Sequence, residues 1–485
     1  MNDIQKLEPR EVWNYFHEIC QIPHPSKKEQ QIIAYMKKFG EENNLETIVD
    51  DEGNVILRKP ATKGMENRQG VILQAHLDMV PQKNSDKKHD FEKDPIEPII
   101  DGEWVKANGT TLGADNGIGV AAAMAILTSK SIEHGPVEAL FTVDEETGMT
   151  GARGLKKGLL KGDILMNLDS EDEGELCVGC AGGIDVSATK EYAEETTPLD
   201  VVAYKVHLTG LKGGHSGVDI ALGRANSNKL MFRFLIQAES DFGVMVAEYS
   251  GGDLRNAIPR EAQVVLVVSD KKASEFEDFV KQYEKIYQAE FAETEPTLSF
   301  KITPTDLPAK VMGKNDQHDI IRAVFVCPNG VQRMSQAMKD LVETSNNLAI
   351  VKCAKGKFEA HCLTRSSVDS AKEATARKIA AVFHLINAGV DIKGGYPGWK
   401  PNMQSASLAT LSKVYEEMFG NKPLIKAIHA GLECGILGGT YTNLDMISFG
   451  PTIKYPHSPD EKVHIPSVKI FWDFLIESLK NIPEK

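Results

Sequence analysis

No stretch of this 485-residue chain is apolar for long enough to cross a bilayer. The longest near-apolar run, Gly117 to Leu127, falls well short of the ~20 residues that a spanning helix needs. The N-terminal MNDIQKLEPREVWNYFHEIC mixes charges throughout and offers no apolar core of a secretory signal. Basic charge is in the minority: 55 Lys+Arg face 69 Asp+Glu, a formal charge of −14. Phosphate backbones and anionic membrane surfaces repel such a chain, so neither nucleic acid nor membrane is an expected partner. A closed disulfide framework is missing too, because the seven cysteines (Cys20, Cys177, Cys180, Cys327, Cys353, Cys362, Cys434) are odd in number and scattered. Cys177-Val-Gly-Cys180 has C-x-x-C spacing, but no second pair completes a zinc knuckle, and it reads as ordinary reduced thiols. A cytoplasmic address is the expectation.

What is present is the balance of a soluble globular protein, 41% apolar and 26% charged. At roughly 150 residues per domain the length predicts about two or three units. Up to residue 185, strands and helices alternate: Val71-Ile-Leu-Gln-Ala, the Ala-rich helix Ile118 to Leu127, Val137 to Val143 and Ile164 to Leu168. Short apolar strands between helices predict a mostly parallel sheet covered on both faces. Asn54-Val-Ile-Leu-Arg is expected as an edge strand. After Gly182-Gly183, Val201 to Thr209 and Ala262 to Ser269 alternate as strands of a half-solvated sheet, with helices at Asn226 to Ala238, Ser274 to Phe291 and Ser370 to Ala388. Gly394-Gly-Tyr-Pro-Gly398 reads as punctuation, and the α/β rhythm resumes beyond it. The expected layout is therefore an α/β domain of residues 1–185 and 398–485, with a mixed, mostly parallel sheet. An α+β domain of residues 186–397 is inserted into it.

His76-Leu-Asp78 follows the first of those strands. Alternate residues share a face there, so Asp78 can hold one imidazole nitrogen and free the other for a metal; a satisfied strand-end histidine is the plainer reading. Asp115, in Gly113-Ala-Asp-Asn-Gly117, could be a helix cap or a ligand. Glu145 and Glu146 follow the strand ending at Val143, and Asp169 follows Ile164 to Leu168; singly, each reads as a solvated acidic loop. Jointly, His76, Asp78, Glu145, Glu146 and Asp169 stand at the strand ends where open α/β sheets bind ligands, and Asp115 opens a helix. Several anions converging at one place need a cation, and histidine with carboxylates is a borderline-metal donor set that two zinc ions sharing a carboxylate would fit. His457, in Tyr455-Pro-His-Ser-Pro459, adds a histidine on a stiff loop.

In order and spacing, H-L-D, G-A-D-N-G, D-E-E-T-G and Y-P-H-S-P resemble the di-zinc exopeptidases with glutamate carboxypeptidase, dipeptidase and tripeptidase branches. Leu211-Lys-Gly-Gly-His-Ser-Gly217 and His429-Ala-Gly-Leu-Glu-Cys-Gly435 make the layout most similar to the branch that cleaves aminoacyl-histidine dipeptides. The resemblance implies two Zn²⁺ per subunit, for which Co²⁺ or Mn²⁺ may substitute. It gives His76, Asp115 and Asp169 to one ion, with Asp115 bridging to a second held by Glu146 and His457. It makes Glu145 the general base, Asp78 the residue that orients His76, and the Asp115–Asn116 peptide cis. It implies that the inserted domain is a lid and the contact of a homodimer. His215 would reach the reacting centre, Asn256 and Arg365 would contact substrate, and Glu433 would be a candidate for the substrate amine. An N-acyl amino acid deacylase or carboxypeptidase on the same scaffold is the alternative. A non-catalytic small-molecule binding protein and a protein that uses zinc only to fold stand further off.

Overall fold

Apolar runs separated by glycine, proline and acidic turns become a central sheet in the computed structural model, which describes residues 3–485. The chain through Gly179, with Pro401–Ala427 and Leu432–Lys485, forms one unit; Cys180–Lys400 with Ile428–Gly431 forms a second. The sheet of the first unit runs in the order Glu46–Val49, Val55–Lys59, Val137–Thr142, Val71–His76, Ile164–Asn167, Asp445–Ser448, Glu175–Cys180, Leu424–Ile428. Its four central strands are parallel. Val55–Lys59 and Glu46–Val49 add antiparallel on one side. The strand at Asn54 is therefore not the edge; Glu46–Val49, partly exposed along its length, takes that place.

Every residue of Val71–His76, Val137–Thr142 and Ile164–Asn167 is buried, as parallel strands covered on both faces require. Each large aliphatic side chain enclosed in this way contributes about 1.5–3 kcal/mol. The helix Ala114–Thr128 is apolar all round and buried at every position from Asn116 to Leu127, which only a helix inside a core can be. Register decides where the chemistry falls. His76 pairs with Thr142, while Asn167 pairs with Gln74 and Ser448, so Ile164–Asn167 and Asp445–Ser448 end level with each other, two residues short of the shared end of Val71–His76 and Val137–Thr142. The loops that follow them open at one edge.

The second unit is an antiparallel sheet in the order Ser299–Pro304, Val201–Thr209, Ala262–Ser269, Met245–Gly251, Val342–Ala354, Lys357–Ser366, Gly182–Glu191, Gly389–Tyr396, with Gly330–Met334 alongside Val342–Ala354. Period-two alternation sorts its side chains: Val264, Leu266 and Val268 enter the main core with Phe232, Phe234 and Phe276 from the helices, while Val267 joins Ala203 and Ala247 on the other face. Gly394 and Gly395 lie inside the strand Gly389–Tyr396 rather than punctuating the chain. The helix expected to reach Ala388 ends at His384. Ile428–Gly431 counts with the second unit because the Ala181 N–H donates to the carbonyls of Ile428 and Ala430, at 3.1 and 2.9 Å.

Candidate active site

His76 closes the strand Val71–His76 and is 1% exposed. Its Nδ1 lies 3.0 Å from the Asp78 carbonyl oxygen, which draws the ring proton to that side and leaves Nε2 free to act as a donor atom. Nε2 faces Asp115 Oδ1 at 3.1 Å and Asp169 Oδ1 at 3.4 Å. The Asp78 carboxylate stands farther from Nδ1, at 3.5 Å, and has other partners. It accepts the N–H of Glu145 at 2.9 Å, the N–H of Glu146 at 3.3 Å and the Ser26 hydroxyl at 2.8 Å. Asp78 therefore orients His76 through its main chain and holds the Glu145–Glu146 loop with its side chain.

Asp115 stands at the entrance of the buried helix and is joined to Asn116 by a cis peptide, with the regular helix beginning beyond them. Its two oxygens face different imidazoles, Oδ1 toward His76 and Oδ2 toward His457 Nε2 at 3.2 Å. The Asn116 amide donates to Asp169 Oδ1, which ties two of the carboxylates together. Gly119 leaves room for that amide: a Cβ there would stand 2.0 Å from Asn116 Oδ1 and 2.8 Å from the Leu168 carbonyl. Glu146 Oε2 lies 3.0 Å from His457 Nε2, while its Oε1 is buried with no partner. The donor atoms of His76, Asp115 and Glu146 all fall within 4.8 Å of one another.

The electrostatics follow from crowding anions away from water. Burial pushes the Glu145 carboxyl well above its ordinary value, with Asp169, Glu433 and Glu146 adding to the effect. Burial raises Glu146 and Asp169 as well. Burial alone would lower His76, but Asp169, Asp115 and Asp78 hold it well above its ordinary value. Hydrogen bonds to Asp115 and Glu146 lift His457 to about 11. Asp115 is held low by the same two histidines despite its burial. Both imidazoles are thus biased toward protonation by the carboxylates around them. A bound metal would balance those carboxylates instead and compete with the protons. The orphaned Glu146 Oε1 and the two-sided Asp115 fit such an ion, so His76, Asp115, Glu146, Asp169 and His457 could hold metal.

Glu433 lies deeper. It is 0% exposed, and its Oε2 accepts from Gln74 Nε2 and Thr142 Oγ1, both at 2.6 Å. Burial lifts it to about 8. It offers a substrate amine no surface, which is where the structure departs from the expectation for it.

His215, Asn256 and Arg365 come together within the second unit. The short strand Gly214–His215 pairs with Ala257–Ile258, and the Asn256 carbonyl accepts the Ser216 N–H at 2.9 Å. His215 Nδ1 accepts from the N–H groups of Val218 and Gly217, at 3.1 and 3.3 Å, so its proton belongs on Nε2. Arg365 is 5% exposed and reaches Ser216 Oγ and Tyr396 Oη at 3.4 and 3.3 Å, with Nη2 standing 3.4 Å from His215 Nε2. Among the described residues no carboxylate lies within ion-pair distance of it; Asp185, whose carboxyl feels its charge, pairs with Arg255 instead. Gly217 keeps this corner open, since a Cβ there would lie 2.1 Å from the His429 carbonyl and 3.2 Å from Arg365 Cδ. His429, 7% exposed, faces Ser345 Oγ across 2.7 Å.

Sequence reasoning missed Ser26, Gln74, Thr142, Ser345 and Glu461. The first four are small or uncharged polar residues that gain meaning only from partners far along the chain. Glu461 carried one signal: it stands in the same loop as His457.

Residues 72–481 match the peptidase family M20/M25/M40. The chain is 46% identical over 485 residues to the cytosol non-specific dipeptidase of Escherichia coli K12, covering all of both proteins. It superposes on the aminoacylhistidine dipeptidase of Vibrio alginolyticus with a TM-score of 0.95 at 48% identity, over 99% of this chain and 98% of that one. A tripeptidase from Staphylococcus aureus shares the fold alone, with a TM-score of 0.56 at 15% identity over 98% of this chain and 99% of that one. The chain belongs to the peptidase family M20/M25/M40 and is a hydrolase of that family.

Proposed function

We propose that this member of the peptidase family M20/M25/M40 is a dipeptidase that cleaves dipeptides, Xaa-His such as β-alanyl-histidine among them, with two Zn²⁺ per subunit. One ion is held by His76, Asp115 and Asp169, and the other by Asp115, Glu146 and His457. The observation that carries the reading is Asp115, whose two oxygens face two histidines at 3.1 and 3.2 Å beside the raised carboxyl of Glu145. When bound, the zinc pair polarises the scissile carbonyl and brings the pKa of the attacking water toward neutrality. Glu145 takes the proton of that water and passes it to the leaving amine, a task that suits a carboxyl tuned upward by burial. Asp78 fixes the main chain of Glu145 so that the carboxylate points one way.

In the same reading the second unit supplies substrate recognition. The buried Arg365, without a carboxylate of its own, grips the substrate C-terminus, Asn256 contacts the peptide, and the Nε2 proton of His215 steadies the developing oxyanion. The second unit is also the lid and the contact of a homodimer. A cytosolic address is supported by the name of the Escherichia coli relative. Among the described residues no helix is long and apolar enough to cross a membrane.

A panel of substrates tests this directly. Zinc-loaded protein is given β-alanyl-histidine, several α-dipeptides, a tripeptide and N-acetyl amino acids. Turnover of the dipeptides with little of the rest is the expected result. Exclusive cleavage of the acetylated compounds would replace the dipeptidase by a deacylase on the same scaffold.

A further inference from the structure

Glu461 lies four residues beyond His457 and is 2% exposed. Its carboxylate accepts four consecutive main-chain N–H groups. Oε2 takes Leu112 at 2.7 Å and Gly113 at 3.1 Å; Oε1 takes Ala114 at 2.8 Å and Asp115 at 3.3 Å. On its own side, the Glu461 N–H donates to the Ser458 carbonyl at 3.0 Å, closing the loop that carries His457. Directly after it, Lys462–His464 pairs with Trp104–Ala107, so this end of the loop is anchored. One side chain thus fixes two pieces of backbone that lie some 345 residues apart: the turn that presents Asp115 and the loop that presents His457.

These four N–H groups belong to the turn that leads into the regular part of the helix, which begins beyond the non-helical Asp115 and Asn116; buried main-chain donors need acceptors, and a buried carboxylate is costly without strong donors. Each need answers the other through charge-assisted hydrogen bonds. Such a clamp has one geometry, because both oxygens are committed. We propose that Glu461 is a positioning residue for the metal centre: it sets the separation of Asp115 and His457, and with it the affinity for the ion those two residues share. The inference rests on the metal reading given above. Gln in its place keeps the shape but turns an NH₂ group toward two N–H donors, so part of the clamp must open and Asp115 must shift.

The test titrates Zn²⁺ calorimetrically into metal-stripped wild type, Glu461→Gln, Glu461→Asp and Glu138→Gln, and records the visible spectrum of each with Co²⁺. Glu138 is the control for damage to a buried carboxylate. It is 5% exposed, accepts the N–H groups of Lys161 and Gly162 at 2.6 Å each and pairs with Arg58, at the opposite end of the strand from Thr142. Glu461→Gln is expected to bind one of the two ions roughly 10–100-fold more weakly, the range for partners of metal ligands. Its Co²⁺ spectrum should change as well. Glu461→Asp, which withdraws the same oxygens by one methylene, should show a smaller loss and serves alone if the Gln variant does not fold. Glu138→Gln should match wild type in affinity and spectrum even where its melting temperature falls. Glu461 variants that bind and absorb like Glu138→Gln would overturn the proposal. A wild type that takes up no Zn²⁺ would instead remove the metal reading on which it rests.

Discussion

At the scale of single residues, the site works by placing charge where water cannot relax it. His429 shows the same rule outside the metal centre. Burial, with the nearby Arg365 and His215, lowers it from its ordinary 6.5 to about 3, so it is neutral in the folded protein and protonated sooner in the unfolded one. The unfolded chain therefore binds more protons between those values. Stability from this group is present above pH 6.5 and is lost as the pH falls toward 3. In metal-free protein, His429→Gln is expected to flatten the acid limb of a stability–pH curve by up to about 1.4 kcal/mol per pH unit. Parallel acid limbs in the two proteins would show that His429 keeps an ordinary affinity for protons. Residue types of this kind were legible only in part. His76, Glu145, Glu146 and Asp169 announce themselves by standing at strand ends, Asp115 by opening the apolar helix and His457 by its proline-flanked loop. His429 and Glu433 stand out only through the motif His429-Ala-Gly-Leu-Glu-Cys-Gly435, which shows nothing of the depth of their burial.

At the scale of elements, the helix Ala114–Thr128 carries most of the precision. Its N-terminal turn presents Asp115, its Asn116 holds Asp169, and its apolar surface is locked into the core. Gly119, one turn along, is the position where that arrangement has no slack. Gly119→Ala should overpack the contact with Asn116 and Leu168, at a cost of about 1–3 kcal/mol. It should also weaken zinc binding, since Asp169 loses its tether. A lowered melting temperature with unchanged zinc affinity would show that Asn116 can move without carrying Asp169. The helix and the three strands around it were readable from periodicity and length. The true edge strand was not, because Glu46–Val49 is four residues long and partly exposed and has no apolar signature. Nor was the role of Gly394 and Gly395, which fall at the register shift between the Lys393–Asp185 and Tyr396–Gly183 pairs, with Gly394 at φ 64°.

For the whole molecule, the chain forms two units, one around a mixed sheet with a parallel centre and one around an antiparallel sheet, where the sequence pattern led to the expectation of an α/β domain with an inserted α+β domain. The return of Ile428–Gly431 to the second unit was invisible, because it depends on two carbonyls meeting the N–H of one distant alanine. The acidic excess includes the five acidic side chains that gather at one sheet edge: Asp78, Asp115, Glu145, Glu146 and Asp169. Metal removal shows whether a cation balances that concentration of charge. Metal-stripped wild type and Glu145→Gln are titrated with Zn²⁺ while bound zinc and β-alanyl-histidine hydrolysis are both followed. Wild-type hydrolysis is expected to be absent without zinc and to rise to its maximum as two ions bind. Glu145→Gln should bind the same two ions and lose about 10²–10⁴-fold in turnover. Full hydrolysis by stripped protein, or undiminished turnover in zinc-loaded Glu145→Gln, would contradict the two-zinc mechanism.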